Sequence, residues 1–278
     1  MVESYLKSIG FLLGKEFRPV EIYSLYAEPN TGKTLYLMGE IINAIKNGYR
    51  VLWIDTEGGF DGLWERWFPI LDSRLEGKFV KENLSYVRLN SYEDTMMFLG
   101  RKISLKYGKE KTELLYIKDL DTKELNPIYN SFSKKRGNTM IVMDSLTNLM
   151  RMSIPTSMQN FPVRADATAI LINSINLLAD RTDAPIIITN HASKNPADIY
   201  HGMSRIRGGS TLVYNSKYIF YMQKPMKKVL EDYRKIWAVR SPLFKEWGES
   251  RWVKITGNGF EDVTAEEIDA VINNADNK

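Results

Sequence analysis

Hydrophobic residues in this chain recur at two spacings, every second residue in some stretches and near the helical period in others. Residues 20–26 (Val-Glu-Ile-Tyr-Ser-Leu-Tyr) alternate apolar with polar and are rich in β-branched and aromatic types, which predicts a strand. After a short polar loop, Leu35, Leu37, Met38, Ile41, Ile42 and Ile45 repeat at helical spacing over residues 33–46, and Asn47-Gly48 supplies a stop. Residues 50–55, 139–143 and 185–189 are near-continuous apolar runs, the pattern of parallel strands buried on both faces. A further strand is predicted over 84–89, and helices over 61–71, from Tyr92 and over 165–178. Residues 104–121 read as an exposed hairpin or extra strand. Residues 151–163, with two prolines, read as a mobile loop, and 192–210 as a long polar one. The remainder is strand-like over 212–222, 235–239 and 252–255, and a last helix starts at Thr264, where Glu267 completes a capping box. Residues 1–19 form a lead-in segment. The rest predicts one α/β domain with a mostly parallel central sheet, helices on both faces and a β-rich C-terminal end.

Composition narrows the class without choosing a function. With 44% hydrophobic and 26% charged residues, the 278-residue chain is ordinary for a soluble globular protein and long enough for a sizeable core. No apolar run reaches membrane-spanning length, so no membrane partner is expected. Residues 1–6 lack the basic start, apolar stretch and cleavage site of a secretory signal, and a cytoplasmic location is the expectation. With no cysteine, disulfides and thiolate metal sites are excluded, and His191 and His201 are too few for a structural zinc. Any metal here is a hard cation held by oxygen. The net charge of +4, from 38 basic and 34 acidic residues, permits nucleic-acid binding without arguing for it.

The most specific stretch is Ala27, Glu28, Pro29, Asn30, Thr31, Gly32, Lys33 and Thr34, which joins the first strand to the first long helix. Its spacing is that of the phosphate-binding loop, with Ala27 where the first glycine is usual. In such a loop the backbone amides cradle phosphates, Lys33 reaches the β and γ phosphates, and Thr34 binds Mg²⁺. The methyl group of Ala27 carries a cost if the position needs a positive φ. Ligands of parallel sheets lie beyond the strands' carboxyl ends, which puts Glu57 on the same rim. The strand over 139–143 ends in Asp144, the carboxylate a second nucleotide motif uses to hold Mg²⁺ near Thr34. Asn190-His191 ends another strand. Lys194, Arg205 and Arg207 in the following loop are candidates for contact with nucleic-acid phosphates, as are Arg151 and Arg164 flanking the earlier loop.

In order and spacing these residues resemble the ATPase core of the RecA/RadA recombinase family over roughly residues 10 to 262. Leu12-Leu13-Gly14 resembles the family's lead-in, Gly32-Lys33-Thr34 its phosphate loop, and residues 52–57 (Leu-Trp-Ile-Asp-Thr-Glu) its second strand with the catalytic glutamate. Asp144-Ser145-Leu146 resembles its Mg²⁺ motif. Thr189-Asn190-His191 is similar to the family's Thr-Asn-Gln, a sensor between the γ-phosphate and the second DNA loop, with histidine in place of glutamine. Gly208-Gly209 and residues 212–220 resemble the end of that loop and the strand after it. Residues 239–242 (Val-Arg-Ser-Pro), Lys254-Ile255-Thr256 and Gly259-Phe260 resemble the C-terminal hairpin, which in filaments can lie over a neighbour's nucleotide.

The resemblance assigns no residues to the family's N-terminal helical DNA-binding domain, and no Phe-x-x-Ala oligomerisation motif precedes the core. It therefore points to a short archaeal RadA paralogue of the RadB type or to a viral RecA-core protein. It implies a RecA-like P-loop NTPase domain over residues 20–278, with ATP and Mg as cofactors. Glu57 is then the general base that orients water, helped by Lys33 and His191, and Thr34 and Asp144 hold the metal. The activity implied is an ATPase, weak or DNA-stimulated, that binds single-stranded DNA in recombination or repair. It would act as a recombinase paralogue or as a mediator loading a partner recombinase. A regulatory ATPase of the same superfamily, acting on proteins without DNA, is the alternative. The oligomeric state stays open.

Overall fold

The computed structural model describes residues 2–59, 82–193, 205–206 and 209–276. A short N-terminal ribbon, β1 (Val2–Glu3) and β2 (Glu16–Phe17), encloses α1 (Lys7–Leu13). Then come β3 (Ile22–Ala27), α2 (Lys33–Lys46), β4 (Arg50–Asp55), β5 (Leu84–Arg88), α3 (Tyr92–Phe98) and the strands β6 (Arg101–Tyr107) and β7 (Thr112–Asp119). They are followed by α4 (Pro127–Ser133), β8 (Thr139–Asp144), α5 (Leu146–Ser153), α6 (Phe161–Thr182), β9 (Ile186–Ser193) and β10 (Arg205–Ile206). The chain closes with α7 (Gly209–Asn215), β11 (Tyr218–Gln223), β12 (Tyr233–Arg240), β13 (Glu249–Thr256), β14 (Gly259–Asp262) and α8 (Ala265–Asp276).

The main sheet runs β14-β13-β12-β11-β3-β9-β8-β4-β5, with β10 added to β9. From β11 to β5 the pairings are parallel; β12, β13 and β14 extend the sheet antiparallel. Strand alternation divides the core between the two faces. In β4, Val51 and Trp53 join a core with Leu37, Ile41 and Ile45 of α2, while Leu52 and Ile54 join a second core with Leu149 of α5 and Leu171 and Ile175 of α6. β8 divides in the same way, Met140 and Val142 against Ile141 and Met143. Burial on both faces is why these strands read as unbroken apolar runs. The register also sets the site, because Ala27 of β3 lies beside His191 of β9, and Asp55 of β4 beside Asp144 of β8.

The strand predicted over 20–26 is β3, buried throughout between β11 and β9, where Ser24 satisfies its hydroxyl against that of Ser216 at 2.7 Å. Several predicted elements take a different form. The loop expected over 151–163 is shorter. Helix α5 runs through Ser153, and Pro162 sits in the first turn of α6, where its missing N–H costs nothing and its fixed φ favours the helix. Of the long loop expected over 192–210, Ala192 and Ser193 belong to β9, Arg205 and Ile206 form β10 with Arg205 opposite Ser193, Gly209 and Ser210 open α7, and the other residues lie outside the described ones. The strand expected over 212–222 is a helix followed by a strand, α7 and then β11. The predicted helix over 61–71 lies outside the described residues.

Residues 104–121 do form a hairpin, β6 with β7. Ile103 and Leu105 turn inward to the second core, and the tip is tied down by Tyr107 Oη donating to Ser153 O (2.8 Å) and Thr112 N–H to Asn160 Oδ1 (2.7 Å).

Candidate functional site

The carboxyl ends of β3, β4, β8 and β9 gather the predicted chemistry on one rim. Asp55 ends β4 and accepts the backbone N–H groups of Glu57 and Gly58, both at 2.8 Å, while Tyr86 Oη donates to its other oxygen. This local turn carries Glu57 away from the sheet and over the end of β8. There Ser145, the N-cap of α5, donates its hydroxyl to Glu57 Oε1, and His191 Nε2 lies 2.8 Å from the same oxygen. The His191 backbone is fixed in turn, its main-chain N–H donating to Thr147 Oγ1 at 3.1 Å and Thr147 donating to Asn190 Oδ1 at 3.0 Å. Burial works to raise the Glu57 carboxyl, but the bonds from His191 and Ser145 and the charge of Lys33 outweigh it and hold the group below its usual range. Glu57 is thus a carboxylate at neutral pH, able to accept a hydrogen bond from water.

Thr34, in the first turn of α2, donates to Asp144 Oδ2 at 2.7 Å, and Thr189 donates to the other oxygen, Oδ1. Burial pushes the Asp144 carboxyl up to about 6 against those two hydrogen bonds, and Glu57 and Asp55 add to the rise. Among the described residues no group of three or more His, Cys, Asp and Glu side chains forms a metal cluster. A hydroxyl beside one carboxylate suits Mg²⁺, which keeps several waters and takes much of its shell from phosphates.

The loop itself closes tightly. Positive φ falls on Asn30 (59°) and Gly32 (106°), and Thr31 Oγ1 donates to Glu28 O at 2.7 Å. Ala27 is absent from the positive-φ positions, so its methyl group carries no conformational cost. The Lys33 ammonium donates to the carbonyls of Ala27 (3.4 Å) and Glu28 (3.2 Å). Burial lowers its affinity for the proton, opposed by Asp144 and Glu57.

Beside the loop, a cavity of about 340 Å³ is lined by Pro29, Glu57, Asn148, Arg151, His191 and Ala192. Arg151 therefore stands with Glu57 and His191, on α5 instead of in a loop, and donates to Asn148 Oδ1 at 3.2 Å. Arg164 lies in the first turn of α6. Arg205 is in β10, and Lys194 and Arg207 lie outside the described residues.

No family profile matches the chain. It is 24% identical over 250 residues to the DNA repair and recombination protein RadB of Methanococcus maripaludis, covering 90% of this chain and 95% of that protein. Its fold matches the crystal structure of the RadB recombinase with a TM-score of 0.65 at 20% identity, over 95% of this chain and 100% of the other. Together these show the fold of the RadB recombinase along nearly the whole chain and a likeness in sequence to RadB.

The RecA-like arrangement explains why motifs far apart in sequence converge: each sits at the end of a neighbouring parallel strand. Sequence reasoning missed the side chains that hold the principal groups in place. Ser145 and Thr189 lie inside recognised motifs but carry no spacing signal for their bonds to Glu57 and Asp144. Arg234 of β12 lies in no motif, although its Nε donates to Thr31 O at 2.8 Å. Nothing in its local sequence marks a contact across 203 positions.

Proposed function

We propose that the protein binds and hydrolyses ATP with Mg²⁺ and couples its nucleotide state to single-stranded DNA in recombination or repair, as a recombinase paralogue or a mediator for a partner recombinase. The observation that carries this reading is the pairing of Thr34 with Asp144 at 2.7 Å beside Glu57 with His191 at 2.8 Å, both on the rim next to the phosphate loop. Bound Mg·ATP supplies the phosphoanhydride to be cleaved and a cation that spreads its charge. Thr34 and Asp144 offer the oxygen ligands for that cation. Lys33 places an ammonium within the loop, where it stabilises charge on the outer phosphates. Glu57, ionised and fixed from two sides, orients the attacking water and takes its proton.

The DNA part of the reading rests on where β9 leads. Two residues beyond His191, Ser193 pairs with Arg205, so the segment between them is anchored at both ends on the rim. A change at the Glu57–His191 pair reaches that segment through one short piece of strand. Lys194 within it and Arg205 and Arg207 at and just beyond its end suit backbone phosphates, a contact that weakens with salt and ignores sequence.

The test is the affinity for single-stranded DNA with ATP, with ADP and without nucleotide. Tighter binding with ATP is expected. Equal affinity in all three states overturns the coupling, and nucleotide binding without DNA affinity at low salt assigns the protein to protein partners instead.

A further inference from the structure

Arg234 is nearly buried, at 5% exposure, and its partners are main-chain carbonyls: Thr31 through Nε at 2.8 Å, and Glu231 (2.7 Å) and Tyr233 (2.6 Å) through Nη1. A guanidinium withdrawn from water and bonded only to carbonyls is a costly arrangement for stability alone. Its choice of partner is informative. The Thr31 carbonyl and the Gly32 N–H belong to one trans peptide and point in opposite directions. Strands β12 and β8 lie on opposite sides of β3 in the sheet order. A donor from β12 that holds the Thr31 carbonyl therefore turns the Gly32 N–H the other way, toward the side where Thr34 meets Asp144.

The same peptide is gripped a second time. A Cβ added at Gly32 would stand 3.0 Å from Cζ of Phe260 on β14, so the antiparallel extension packs directly against the loop at its positive-φ residue. A charged donor on a carbonyl also polarises the peptide and makes its N–H a stronger donor in turn.

We propose that Arg234 is a positioning residue for phosphate binding, fixing the Thr31–Gly32 peptide from behind so that the Gly32 N–H is presented to the outer phosphates of a nucleoside di- or triphosphate. The inference rests on reading residues 27–34 as a nucleotide loop. Lysine cannot take its place, because an ammonium lacks the planar fork that meets Thr31 and Tyr233 at once.

The test measures ADP affinity and the urea unfolding midpoint of the full chain as wild type, Lys33→Ala, Arg234→Met, Arg234→Lys and Val253→Ala. Val253, fully buried in β13 opposite Arg234, loosens the same extension without removing any of the three carbonyl bonds. The expected result is ADP binding weakened about tenfold in both Arg234 variants, the loss of one charge-assisted hydrogen bond. Val253→Ala keeps wild-type ADP affinity despite a lower urea midpoint. Arg234→Lys retains the charge and carries the test where Arg234→Met does not fold. Wild-type ADP affinity in Arg234→Lys, or an equal loss in Val253→Ala, overturns the proposal alone. A wild type that binds ADP no better than Lys33→Ala overturns the reading of the loop and this inference with it.

Discussion

On one side of the phosphate loop, the parallel strands β4, β8 and β9 bring the groups suited to chemistry, Glu57, Asp144 and His191, to one rim at or near their carboxyl ends. On the other side, the antiparallel strands β12 and β14 offer Arg234 and Phe260, which touch the loop's backbone and its glycine. Parallel strands all finish at one edge, so successive strand ends bring reactive side chains together. Antiparallel β12 begins beside the loop, and its Arg234 holds the loop's backbone. The parallel part of the sheet thus carries the reactive groups, and the antiparallel part braces the loop.

Helix α2 belongs to both sides and carries the sharpest contrast between them. At its N-terminus Thr34 meets Asp144; on its far face Glu40 is buried and accepts from Ser4 Oγ and Tyr5 N–H of the N-terminal segment and from Tyr36 Oη at 2.6 Å, with Asp262 of β14 nearby. Burial raises both carboxyls, Glu40 to about 7 and Asp144 to about 6. The same cause has two consequences. Glu40 is remote from the rim, so its titration acts on folding. The folded protein holds this proton more tightly than the unfolded chain, so the contribution is complete below pH 4.5 and lost as pH rises through about 7. Wild type is expected to gain stability relative to Glu40→Gln, on the order of 3 kcal/mol, between pH 8 and pH 4. Urea midpoints across that range check it, and ATP affinity stays unchanged in the variant. A parallel pH slope in both proteins would break the contrast.

Asp144 is expected to act on ligand binding, because a metal needs the ionised carboxylate. Below pH about 6 the Mg²⁺-dependent part of ATP affinity falls, by about tenfold per pH unit. Titration calorimetry with and without Mg²⁺ at several pH values reads this directly. The same group also favours the folded state at low pH, since its folded value lies above 3.8. Loss of Mg²⁺-dependent affinity in a protein that is no less stable is therefore the signature.

Much of the parallel side was legible in the sequence, and the reason is physical. Residues 50–55 and 139–143 are apolar on both faces because both faces are covered, and each run stops at a carboxylate where the sheet meets the rim. Helix α2 announced itself by period and by Asn47-Gly48. The antiparallel side was legible as strands but not as support, because a bond from Arg234 to a carbonyl depends on β12 lying two strands from β3. The misread pieces have local causes. Pro162 suggests a break in the sequence yet starts a helix, and the apolar stretch from Leu212 holds two elements separated at Ser216-Lys217, which an apolar run alone does not divide.

The central claim is that Glu57 serves an ATP-hydrolysing site that responds to DNA. It is tested most directly by the rate of ATP hydrolysis with and without single-stranded DNA, for wild type and Glu57→Gln. Hydrolysis by the wild type that rises with DNA is predicted, together with a loss of about 100-fold or more in kcat for Glu57→Gln at nearly unchanged ATP affinity. Turnover in Glu57→Gln equal to that of the wild type would contradict the account.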